Sequence, residues 1–138
     1  MGYDKTMDCL VSSACAEREA ALRLCEASEE FVRVVSGGCC RVVPAPLAYD
    51  LLGELKVAFV HLAGVVRCLP DGLRSSLADS RLVVYDQDPW TGEQRDPVRQ
   101  VELACEHMRE VLNYLSAAVE AAEDAQVALN SQGYRGVQ

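Results

Sequence analysis

Isoleucine is absent from the 138 residues, and lysine occurs only as Lys5 and Lys56. Alanine, valine and leucine (17, 18 and 16 residues) take the aliphatic places, and 11 arginines take the basic ones. This bias follows a GC-rich coding sequence, such as that of a GC-rich bacterium or one of its mobile elements, and carries no chemistry. Basic excess is also missing. A net charge of −8 and a pI near 4.7 argue against sequence-independent binding to nucleic acid or to anionic membranes, which needs clustered Lys and Arg. Long apolar runs are lacking too. The most apolar stretch, Val57 to Val66, contains His61 and is flanked by Glu54, Lys56 and Arg67. It is about half the roughly 20 residues that a membrane span needs. The first six residues, Met1-Gly2-Tyr3-Asp4-Lys5-Thr6, have no basic region followed by an apolar run, so no signal peptide is expected. Gly2 and Thr6 fit a myristoylation pattern, but the polybasic partner signal that stable anchoring needs is missing.

The cysteines number seven, an odd count without framework spacing. Reduced thiols in a cytoplasmic protein fit this better than a secreted disulfide scaffold. No C-x-x-C pair, Glu-x-x-His, G-x-x-x-x-G-K-[ST] or G-x-S-x-G occurs, which removes the usual sequence signatures of zinc, di-iron, nucleotide and serine-hydrolase sites. The Arg–His spacing of helical HEPN-type ribonucleases is not met either, because Arg99 and His107 have seven residues between them.

Half of the chain is hydrophobic, enough for one domain with its own core. The apolar spacing predicts three long helices. The first spans about Thr6 to Ser36, with Met7, Val11, Ala14, Ala21, Cys25, Ser28, Val32 and Val35 in steps of three, four and seven. Leu10, Leu24 and Phe31 widen that stripe. Gly37-Gly38 should end it with a left-handed cap. The second helix spans about Leu47 to Leu69, where Ala48, Leu51, Leu55, Ala58, Leu62, Val65 and Leu69 alternate by three and four, and Leu52, Phe59 and Val66 extend the face. Pro70 should stop it, leaving Asp71-Gly72 to open a short fourth helix through Leu73 and Leu77. Asp96-Pro97 is the strongest local signal, an N-cap followed by proline at the first helical position. From there Val101, Cys105, Met108, Leu112, Leu115, Val119, Ala122, Gln126 and Leu129 hold a heptad spacing to about Asn130.

The fold expected is all-α: an antiparallel bundle of three long helices plus one short helix, with an irregular loop at about residues 81–95. It forms a single helical-bundle domain, 1–138, whose tail from about 131 should fray. Charge is unevenly spread, with net −3 over residues 1–36, +1 over 37–81 and −6 over 82–138. The near-neutral middle matches a central second helix.

Candidate chemistry is sparse. His61 is expected to be a partly buried, hydrogen-bonded histidine, and His107 to lie exposed beside Glu106 and Glu110. Cys9, Cys15, Cys25, Cys68 and Cys105 read as small packing residues. Cys39 and Cys40, just past a helix end, are the one centre where a thiol-redox or metal site is conceivable. No cofactor and no catalytic residue are expected.

Trp90-Thr91-Gly92 spells W-x-G and resembles the turn signature of the WXG family, small secreted helical hairpin proteins. In that family a Tyr-x-x-x-Asp/Glu signal follows the second helix. Here Ala118 follows Tyr114 at that spacing and Gln138 follows Tyr134, so the resemblance covers three residues.

The expectation for function is a non-catalytic interaction or accessory protein that forms a homodimer or other homo-oligomer, or binds a protein partner. Val57, Val60 and Gly64 on the second helix are the candidate contact residues. Trp90 is a candidate anchor for a partner, although the slightly favoured expectation is that it folds back to cover one end of the bundle. The alternatives are the thiol or metal protein centred on Cys39 and Cys40, and a secretion-linked hairpin protein of WXG type.

Overall fold

The computed structural model describes residues 5–37, 42–80 and 83–133, with side chains from residue 14 onward. The architecture is all-α apart from one two-stranded ribbon. Its elements are α1 (Lys5–Ser36), α2 (Ala45–Ala78), β1 (Asp86–Gln87), β2 (Gln94–Arg95) and α3 (Pro97–Leu129). The chain forms two compact units, Met1–Val42 and Val43–Gln138.

The first unit is α1, 32 residues and about 48 Å long. From Ala14 onward every residue of α1 is exposed except the half-buried Val35. Local pairs support the helix: Glu19 with Arg23, and Glu30 with Arg33 at 2.6 Å, the latter holding the Arg33 guanidinium above its usual range. Such exposed pairs add only tenths of a kcal/mol each. The left-handed cap expected at Gly37-Gly38 is not taken at Gly37. A Cβ there would stand 2.4 Å from the Arg33 carbonyl oxygen, so close backbone approach requires glycine, and its φ is not positive. Gly38 lies outside the described residues.

The second unit is a helical hairpin. Tyr49 meets Gln126, Lys56 meets Glu123 and Arg74 meets Glu102. Rising numbers in α2 therefore pair with falling numbers in α3, and the helices are antiparallel. α3 begins as its sequence dictates: Asp96 is the N-cap, its carboxylate accepting from the Val98 amide at 3.1 Å, and Pro97 opens the first turn. All nine positions of its heptad row, Val101 to Leu129, are buried or half-buried.

α2 departs from the expected bounds at both ends. It starts at Ala45, where the Pro44 carbonyl accepts from the Ala48 amide at 2.9 Å. It then runs on through Pro70 to Ala78, a single helix of 34 residues. The separate short helix therefore does not exist; Leu73 and Leu77 belong to the last turns of α2. An interior proline costs about 3 kcal/mol through its lost amide and its ring. That cost is offset here because the turns beyond it half-bury Leu73 and Leu77 and set Arg74 against Glu102 at 3.0 Å.

The helices approach closely along the seam because the residues there are small. Ala45, Ala63, Cys105 and Ala122 are the buried apolar side chains among the described residues. At about 100° per residue, α2 carries two apolar rows. Leu52, Phe59, Ala63, Val66 and Pro70 lie toward α3. Ala48, Leu51, Leu55, Ala58, Leu62, Val65 and Leu69, the row expected to fill the core, lie a quarter-turn away. Val65 and Leu69 are exposed at 60% and 47%.

The irregular loop expected at 81–95 is instead ordered over its second half. β1 and β2 pair antiparallel, Asp86 opposite Arg95 and Gln87 opposite Gln94. Val83, Val84 and Tyr85 precede the ribbon, exposed and outside any strand.

Candidate functional site

Trp90 stands at the tip of that ribbon, held by its neighbours' polar groups. The Asp88 carboxylate accepts from the Trp90 amide at 2.8 Å and from the Thr91 amide at 3.0 Å. These two bonds, Thr91 first, hold the Asp88 carboxyl below the usual aspartate range. The Gly92 amide donates to the Asp88 carbonyl at 2.9 Å, the Gln87 side chain donates to the Gly92 carbonyl at 2.7 Å, and Gly92 takes φ +71°, a conformation that glycine adopts without strain. Arg95 locks the base, 2.6 Å from Asp86 and 3.7 Å from Asp88. The indole itself is 93% exposed. It does not fold back over the end of a bundle. It is displayed by a preformed turn, so docking against it costs little loop ordering.

Val57 and Val60 are about half exposed, and a Cβ at the half-buried Gly64 would meet nothing within 4 Å. These three residues share one flank of α2, beside a shallow depression of about 210 Å³ that Phe59, Val60, Ala63 and Arg67 form with Leu115, Ser116, Val119 and Glu120. The same side of the hairpin holds its ion pairs, Lys56–Glu123 at 3.3 Å and Arg74–Glu102. The Arg74 contact holds the Glu102 carboxyl below its ordinary range. This flank is therefore mixed, with apolar positions bordered by charge. Gly64 is 14 residues from the end of α2, about 21 Å of helix, and the largely exposed Trp90 packs against none of the three. The candidates form two separate places.

The flank expected to fill the core is the more apolar one. Leu55, Leu62, Val65 and Leu69 of α2 lie on the same side as Ala104, Val111, Ala118 and Ala125 of α3. The signal that separates the two α2 rows is the position of the small residues, Gly53 against Gln126 and Ala63 beside Leu115 and Val119.

His61 is exposed rather than partly buried. His107 is exposed as expected, with Nδ1 3.3 Å from Glu110. Cys15, Cys25 and Cys68 are exposed free thiols, not packing residues, whereas Cys105 is fully buried in the seam. Cys39 and Cys40 lie outside the described residues, as does the side chain of Cys9. Among the described residues no three His, Cys, Asp or Glu side chains form a metal-binding group, and no helix is long and apolar enough to cross a membrane. Trp90-Thr91-Gly92 falls in the connection between two antiparallel helices, although a ribbon occupies it. No protein-family model matches the chain, and comparison with curated proteins and with solved structures returns no match.

Proposed function

We propose that this protein is a non-catalytic helical interaction or accessory protein that self-associates through its helices and engages a protein partner through Trp90. The observation that carries this reading is the display of Trp90. The chain's one tryptophan is 93% exposed on a turn ordered by Asp88, Gln87 and Arg95. Aromatic side chains of this kind dominate interface energetics, because they bury a large area at small entropic cost. A cytoplasmic location belongs to the same proposal. The exposed thiols of Cys15, Cys25 and Cys68 suit a reducing compartment.

Sedimentation from about 1 to 100 µM tests the first half: a mass rising above 15.0 kDa is expected, and a strict monomer removes self-association. The second half is tested on immobilised protein. Partners retained by the wild type should be lost from Trp90→Ala, and equal retention by both removes Trp90 as the anchor.

A further inference from the structure

The hairpin's charges lie on the Val57–Val60 flank and on its outer surfaces. Between Ala48 and Leu69 of α2, and between Gln100 and Ala125 of α3, the opposite flank carries none. Leu51, Leu55 and Leu62 are half-buried there, while Val65, Leu69 and Val111 are 60, 47 and 44% exposed. Contiguous apolar surface of this extent marks an interaction site.

We infer that this face is covered by the same face of a second copy, two α2–α3 hairpins closing into a four-helix core around a two-fold axis. The inference rests on the proposed self-association and names the surface that performs it, in place of Val57, Val60 and Gly64. Charge selects the occupant. Each chain carries −8, and a two-fold contact sets every residue near the axis against its own copy, so any charge there would face a like charge. The charge-free flank is the side of the hairpin that meets this condition. The Val57–Val60 flank, edged by Lys56, Arg67, Glu120 and Glu123, does not. Area agrees. The strip is about 32 Å long and two helices wide, about 18 Å at ordinary packing distance. Doubled over the two copies this is on the order of 1,100 Å², which clears the roughly 1,000 Å² that a specific interface needs. The shape also suits helix packing, since Ala58, Ala104, Ala118 and Ala125 leave grooves between the larger side chains.

Sedimentation equilibrium on the full chain tests this with Val65→Glu, Val111→Glu and, as the control on the other flank, Val57→Glu. Helix content is checked by circular dichroism, and Val65→Ser serves if a charged variant fails to fold. The wild type should reach twice the 15.0 kDa chain mass. Val65→Glu and Val111→Glu should weaken dimerisation at least tenfold, Val65→Ser should weaken it less, and Val57→Glu should leave it unchanged. A dimer broken by Val57→Glu but not by Val65→Glu overturns the inference and leaves self-association standing. A dimer that survives all variants also overturns it, and places another segment or partner on the face. A wild type monomeric at 100 µM removes the inference together with the self-association on which it rests.

Discussion

The Gln126 side chain donates to the Tyr49 carbonyl at 2.9 Å across the α2–α3 seam, through space left open by Gly53. A Cβ on Gly53 would lie 3.1 Å from the Gln126 amide nitrogen. Glycine within a helix costs about 1 kcal/mol relative to alanine, so the gap is maintained at a cost. Gly53→Ala should therefore stabilise the Gln126→Ala protein by about 1 kcal/mol and the wild type by clearly less. A double-mutant cycle in denaturant measures this, and strict additivity would show that the two residues do not share the space.

Pro70 sits in a helix that continues for two more turns. Replacement by alanine restores an amide donor and removes the ring, and should stabilise the fold by about 1–3 kcal/mol, visible as a higher Tm. A lower Tm would show that the proline shapes the path of α2 toward Glu102.

The ribbon that displays Trp90 depends on an ionised Asp88. Its carboxyl is held below the usual aspartate range by the Thr91 and Trp90 amides. That contribution is complete above the usual range and is lost as pH falls through the lowered native value. Protection of the Trp90 and Thr91 amides, measured as exchange relative to the unstructured rate at the same pH, should fall as pH drops below the usual aspartate range, and Asp88→Ala should show the low protection already at neutral pH. Unchanged exchange in that variant would move the source of order to Arg95 and Gln87.

Thiol reactivity should divide along the structure. Cys15, Cys25 and Cys68 are exposed, whereas Cys105 is 1% exposed. Alkylation of native protein, mapped by peptide mass, should modify the first three promptly and Cys105 only when the hairpin opens. Rapid native labelling of Cys105 would mean that the seam is open in solution.

Sequence alone was sufficient for α3 because its signals are local and agree. Asp96 and Pro97 set its start, and one uninterrupted row of nine positions sets its buried face. α2 was ambiguous. It carries two apolar rows a quarter-turn apart, and periodicity cannot rank them; the small residues Gly53, against Gln126, and the buried Ala63 do. Pro70 misled because its local cost is offset by the half-buried Leu73 and Leu77 and by Arg74, whose partner Glu102 is distant in the chain. The ribbon has no periodic signature at all, since its order comes from side chains bonding to backbone at Asp88 and Gln87. Among the candidate contacts, Trp90 was legible as a lone aromatic in a turn-rich segment. The uncharged flank was not, because the same Leu and Val residues read equally well as core.

A seam built on steps of three and four is nearly indifferent to sliding by seven residues, since one apolar layer replaces another at little cost. Gln126 breaks that indifference. Moved one heptad along α2, its amide would leave the slot at Gly53 and meet Pro46 or Val60 instead, where a side chain fills the space and a buried donor is left unpaired. The hairpin thus has one correct alignment among several that hydrophobicity alone would tolerate, and that alignment also fixes where Arg74 finds Glu102 and how far the ribbon with Trp90 projects beyond the helices.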